Sequence, residues 1–171
     1  EQNVDIISYN IRSLFSIASC LDSDEDIRSW NNVVKLILTK CKFIIEAGEE
    51  EKLSTISFSL MDNLDPNYCP NTTKLYKKND LDLIVQFGIY ISRMDAISLN
   101  TREIGLNILE TIVTNRRKYF KKKETIYPVI EAAYHFATLK KTDEYTNSTE
   151  PYEYAMGILD CIANCLNPSD V

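Results

Sequence analysis

Ile108-Leu109-Glu110-Thr111-Ile112-Val113 is a phrase that the chain repeats, in kind, three more times. Its counterparts are Ser13-Leu14-Phe15-Ser16-Ile17-Ala18, Ser59-Leu60-Met61-Asp62-Asn63-Leu64 and Ile158-Leu159-Asp160-Cys161-Ile162-Ala163. Aligned on Leu14, Leu60, Leu109 and Leu159, the phrases lie 46, 49 and 50 residues apart. Apolar partners three and four residues past a leucine share its face on a helix, and on no other regular element. One such helix cannot bury its stripe alone, so a repeated phrase implies helices packed on one another.

Working outward, one further helical pattern lies between each pair of phrases. The period predicts seven helices: about 4–20, 27–47, 50–64, a fourth after Asn79, a fifth after Asn100, a sixth from Thr125 and a seventh opened by Pro151. Gly48 reads as a C-terminal stop, and the acidic run Asp22–Asp26 as charge suited to a helix N-terminus. Asp65-Pro66-Asn67-Tyr68-Cys69-Pro70-Asn71 reads as the longest loop, and Pro128 as a first-turn proline. Two antiparallel helices in roughly 40–50 residues is the period of HEAT-type repeats. The expected fold is therefore all-α: an α-α superhelix, or solenoid, of about three and a half helix pairs. The repeats fall near 4–47, 50–95 and 99–140, with a half repeat at 151–167. Helices one, three, five and seven are the outer set; two, four and six are the inner set.

Composition supports long helices and removes several functions. Only 4 Gly and 5 Pro punctuate 171 residues, too few for the frequent special turns of a β-sandwich or barrel. A net charge of −6 disfavours a domain driven by phosphate neutralisation on duplex nucleic acid. The longest uncharged stretch, Leu83–Ser92, is about half of what a membrane-spanning helix needs. The chain starts at Glu1 and stops at Pro168-Ser169-Asp170-Val171, which reads as a piece of a longer protein.

Candidate chemistry is sparse. The five cysteines, Cys20, Cys41, Cys69, Cys161 and Cys165, lack the second pair or the histidines that a zinc site requires, so they read as reduced core thiols. His135 is the single histidine. No glycine-rich phosphate loop, nucleophile elbow or Cys–His arrangement is present, so neither an enzyme nor a cofactor or metal site is expected. Asn71-Thr72-Thr73 and Asn147-Ser148-Thr149 match the glycosylation acceptor pattern by chance. The basic run Arg116-Arg117-Lys118-Tyr119-Phe120-Lys121-Lys122-Lys123 reads as a solvated turn with its two aromatic residues tucked inward.

From Leu81 to Val171 the chain resembles a known family. Ala96-Ile97-Ser98-Leu99-Asn100-Thr101-Arg102 is followed by Leu106-Asn107-Ile108-Leu109-Glu110-Thr111-Ile112-Val113-Thr114. A helix opening Thr125-Ile126-Tyr127-Pro128-Val129-Ile130 and the later Ile158-Leu159-Asp160-Cys161-Ile162-Ala163 complete the likeness. This stretch looks like the importin-β (karyopherin-β) nuclear transport receptors, in the branch that holds importin five. Its loop at Thr142–Glu150 is shorter and less acidic than the family's, and Asn115-Arg116-Arg117 stands where the family tends to place another acid.

The resemblance implies a receptor segment that binds cargo proteins, Ran-GTP and nucleoporins and shuttles between cytoplasm and nucleus. A non-transport HEAT scaffold or adaptor is the alternative. In either case the inner helices would offer polar stripes to a partner. Those stripes are Asn32, Lys35, Thr39, Lys42 and Glu46; then Asp82, Gln86, Tyr90 and Arg93; then Glu131, His135 and Thr138. Arg102, early in helix five, is expected to serve a structural ladder between repeats.

Overall fold

A computed structural model of the chain describes residues 3–166. The described residues are helical and carry no strand: α1 (Val4–Ala18), α2 (Asp24–Asn31), α3 (Val34–Glu46), α4 (Lys52–Leu64), α5 (Thr72–Leu75), α6 (Lys78–Arg93), α7 (Leu99–Asn115), a 3-10 turn (Arg117–Phe120), α8 (Lys123–Ala137) and α9 (Pro151–Cys165). Asn167, the expected end of the half repeat, and the terminal residues Pro168–Val171 lie outside them. The chain divides into two compact units, Glu1–Ile84 and Val85–Val171, with the division falling inside α6.

Several helix ends are written locally. Asn3 caps α1 through Oδ1, which accepts from the Asp5 and Ile6 amides at 2.9 and 3.3 Å. Ser23 and Ser98 cap α2 and α7 in the same way. Gly48 takes φ +78° after α3, and the Glu49 amide then reaches back to the Ile44 carbonyl at 3.1 Å. A side chain would resist that left-handed turn, which is why glycine stands there. Pro151 opens α9, where its missing N–H costs nothing.

Four expectations need correction. The second expected helix is two, α2 and α3, broken at Asn32-Val33, where the Asn32 and Val33 amides turn back to Ser29 and Trp30. Ile27, Trp30, Val34, Ile37, Leu38 and Cys41 stay in phase across the break, so the apolar period could not report it. The paired asparagines Asn31 and Asn32 are poor helix formers, and they mark the spot. The fourth expected helix starts before Asn79, not after it: α6 begins at Lys78, and the Asp80 carboxylate accepts from the Lys77 amide at 2.9 Å. Pro128 falls in the second turn of α8 because that helix starts at Lys123; the carbonyl it leaves unbonded belongs to the exposed Glu124. The stretch after Asp65 is shortened by α5, so the longest connection is the one between α8 and α9.

In the first unit, α1 packs on α3 and α4, α3 packs on α4, and α2 packs on α5. Phe15, Trp30 and Tyr76 form a chain of edge-to-face rings with centroids 6.1 and 6.3 Å apart, all three buried. Lys52 Nζ meets Asp5 Oδ1 at 2.6 Å near the starts of α1 and α4, and Asn63 meets the Phe15 carbonyl near their ends. The two helices therefore run parallel, and each contact joins residues 47 or 48 apart.

In the second unit, α9 packs on α7 and α8, α7 packs on α8, and the 3-10 turn packs on both. Tyr154 bonds Asn107, and Thr114 lies 3.6 Å from Cys161, so α7 and α9 are also parallel and paired at 47 residues. The four phrases are not equally buried. Leu60 and Leu109 are core residues, whereas Leu14 and Leu159 are half-buried and Ile17 is 56% exposed.

α6 and α7 approach unusually closely. A Cβ on Gly105 would stand 2.5 Å from the Gly88 carbonyl oxygen and 2.7 Å from the Ser92 amide nitrogen. Only glycine allows the two backbones this separation.

Candidate binding surfaces

Each inner stripe has a definite place. Lys35, Thr39, Lys42 and Glu46 are exposed along α3, and the Thr39 hydroxyl donates to the Lys35 carbonyl at 2.9 Å. Asn32 is exposed but sits in the break, off that helix. On α6, Asp82 is half-buried and paired with Lys78 at 3.0 Å in the first unit. Gln86 and Arg93 are exposed and Tyr90 half-buried in the second unit. On α8, Glu131 and Thr138 are exposed, and the Thr138 hydroxyl donates to the His135 carbonyl at 2.7 Å.

His135 turns toward Arg102. The Arg102 guanidinium is buried in the second unit, with Nε donating to the Ser92 carbonyl at 3.0 Å and Nη1 to Asp95 Oδ1 at 3.2 Å. Its Nη2 lies 3.2 Å from His135 Nε2. Arginine has no acceptor, so this contact assigns the lone pair to His135 Nε2 and the proton to Nδ1. Arg102 thus links the end of α6, the start of α7 and the last turns of α8. A buried guanidinium is tolerable because its donors are used in this way.

A second polar system was hidden in the sequence. Asn100, Glu103, Asn107, Glu110 and Thr114 follow one face of α7 and meet the α8–α9 connection and then α9. Asn100 donates to the Glu144 carbonyl at 2.8 Å, and its Oδ1 accepts from both the amide and hydroxyl of Thr146 at 2.9 Å. Glu103 accepts from the Tyr145 hydroxyl and, at 3.1 Å, from Asn147 Nδ2. Asn107 accepts from the Tyr154 hydroxyl.

Burial raises the Tyr145 and Tyr154 phenols well above the usual tyrosine range, with Glu103 adding to both. Burial also raises the Glu110 carboxyl, which its contact with Cys161 opposes. A polar stripe at helical spacing reads as solvent-facing. Here it is a seam against the next elements, half-buried from Asn100 to Glu110 and exposed at Thr114, and the tyrosines opposite it were the only available signal.

The remaining features are local. Phe120 is buried and its ring stands edge-on to Tyr119 at 4.8 Å, while Arg117, Lys118, Lys121, Lys122 and Lys123 are exposed around the turn. All five cysteines are free thiols, and burial pushes Cys41 up to about 12. Both acceptor-pattern asparagines use their amides internally: Asn71 donates to the Leu21 carbonyl at 3.0 Å and Asn147 to Glu103. Among the described residues no group of His, Cys, Asp or Glu is placed to hold a metal ion, and no helix is long and apolar enough to cross a membrane. No protein family, curated protein or solved structure matches the chain.

Proposed function

We propose that the chain is a segment of a HEAT solenoid in an importin-β-type nuclear transport receptor. In this reading α1, α4, α7 and α9 are the outer helices, and α3, α6 and α8 offer their exposed polar stripes to cargo or Ran-GTP. The observation that carries it is the parallel pairing of alternate helices, α1 with α4 and α7 with α9, through contacts 47 or 48 residues apart. That separation falls within the 46 to 50 residues between successive leucine phrases, and parallel alternate helices are what stacked helical hairpins produce.

Such a stack has neighbour-to-neighbour contacts in place of one central core. It can therefore change curvature, and a ligand that prefers one curvature shifts the population toward it. Capture of cargo in the cytoplasm and release by Ran-GTP in the nucleus would use that compliance, with nucleoporins met in transit. The transport role rests on the resemblance of residues 81–171 to the family. A HEAT scaffold for protein assembly is the second reading, favoured by the same pairing without the resemblance. Capture assays separate them: a protein carrying this chain should retain Ran loaded with a GTP analogue over Ran loaded with GDP. A scaffold retains neither.

A further inference from the structure

The ends of α1 and α4 meet at an open cleft of about 220 Å³, lined by Phe15, Ser16, Ser19, Ser59, Asp62, Asn63 and Tyr68. Its polar lining is almost wholly made of acceptors. The Ser16 hydroxyl donates to the Arg12 carbonyl at 3.2 Å, Ser19 to Ser16 at 2.7 Å and Ser59 to Thr55 at 3.2 Å. Each hydroxyl hydrogen is thereby committed to its own helix, and the oxygen lone pairs are left over. Asn63 spends Nδ2 on the Phe15 and Ser59 carbonyls and receives the Tyr76 hydroxyl on Oδ1. The Asp62 carboxylate is exposed and has no hydrogen-bond or ion-pair partner among the described residues.

A second observation points the same way. Because α1 and α4 are parallel, both present the negative end of the helix dipole here, yet neither has a basic residue in its last turn. α4 carries Asp62 there instead, so only neutral groups of the two helices, the Ser19 hydroxyl, the Asn63 amide and backbone N–H groups, meet these carbonyls, and no positive charge of their last turns offsets Asp62. Tyr68 stands at the edge, 67% exposed.

We propose that this cleft receives an arginine side chain from a partner polypeptide. A guanidinium brings five donors and no acceptor, which matches a wall of acceptors, and its flat face can lie on the Tyr68 ring. The space equals ~7 waters at ~30 Å³ each, enough for one long side chain with its head group. The cleft lies between α1 and α4 in the first unit, its lining includes no residue of the α3 stripe, and the inference stands whether or not the chain serves transport.

The test is a titration of the isotopically labelled chain with a blocked Gly-Arg-Gly peptide, followed by amide chemical shifts. The same peptide with citrulline keeps the shape and loses the charge. Saturating shifts centred on residues 16, 19, 59, 62 and 68 are expected with arginine, about five-fold weaker or more with citrulline and in Asp62→Asn. Tyr68→Ala should also weaken binding, and it keeps the test open should Asp62→Asn disturb the fold. Equal binding of the citrulline peptide, shifts scattered over the acidic surface, or undiminished binding by both variants would overturn the proposal. None of these results bears on Ran binding.

Discussion

The two units use the same arrangement of parallel alternate helices and hold it together by different chemistry. In the first, the buried faces of α1 and α4 are mainly apolar, with the Phe15–Trp30–Tyr76 rings beside them, and the helices are bridged by one buried amide, Asn63, and by the Lys52–Asp5 ion pair near their starts. In the second, α7 meets α9 and the loop before it through a run of polar side chains, while glycines let it close on α6. Hydrophobic contact is tolerant of small shifts, whereas a hydrogen-bonded seam fixes register along its whole length. The second unit should therefore be the more sensitive to pH and to backbone displacement, and the first to loss of a single polar anchor.

The largest effect should come from Gly105→Ala. The added methyl cannot occupy a position 2.5 Å from the Gly88 oxygen, so α6 and α7 must separate. The expected cost is about 3 kcal/mol by urea denaturation. Amide shifts should change mainly in residues 85–166; a near-neutral result would remove the close approach from the comparison.

Next is Asn63→Ala, which removes the buried amide that accepts from the Tyr76 hydroxyl and donates to the Phe15 and Ser59 carbonyls. A loss of about 2 kcal/mol is expected, and Tyr76→Phe alone should cost less, because it removes one bond to Asn63 Oδ1 and keeps the Asn63 bonds to the Phe15 and Ser59 carbonyls. If the two variants were equal, the bridge would be ordinary packing.

A smaller effect concerns alkaline pH. The folded state holds the protons of Tyr145 and Tyr154 above the unfolded tyrosine value of about 10. Their contribution is complete below that value and is lost as pH rises through and beyond it, where the native state binds more protons than the unfolded one. The urea midpoint should fall between pH 9 and about 11, and less steeply in Tyr145→Phe, which itself costs about 1 kcal/mol near neutral pH. An unchanged slope in that variant would show that the seam does not carry the dependence. The smallest effect is expected for Gln86→Ala, exposed on α6: within about 0.5 kcal/mol by thermal denaturation.

The helices were legible because their apolar period and several of their ends are local: Gly48 and Pro151 stop and start elements by backbone geometry alone. The break at Asn32-Val33 was not, since the stripe from Ile27 to Cys41 stays in phase through it. Asn63 stands where the other phrases carry Ile17, Ile112 and Ile162, and only the fold shows that its amide is used as a bridge. The α7 seam was opaque for the opposite reason: a helical polar stripe looks the same whether it faces water or a tyrosine from the next helix. The exposed positions on α3, α6 and α8 were found by that same pattern, and His135 shows how it misleads, because half of that ring belongs to Arg102.

The transport reading is tested most directly by titrating fluorescent Ran into a protein that carries this chain in full, in the GTP-analogue and GDP forms. The account predicts saturable binding of the GTP-analogue form only, weakened by Lys35→Glu with Lys42→Glu at unchanged melting temperature. Equal binding of the two nucleotide forms, or none of either, would contradict it.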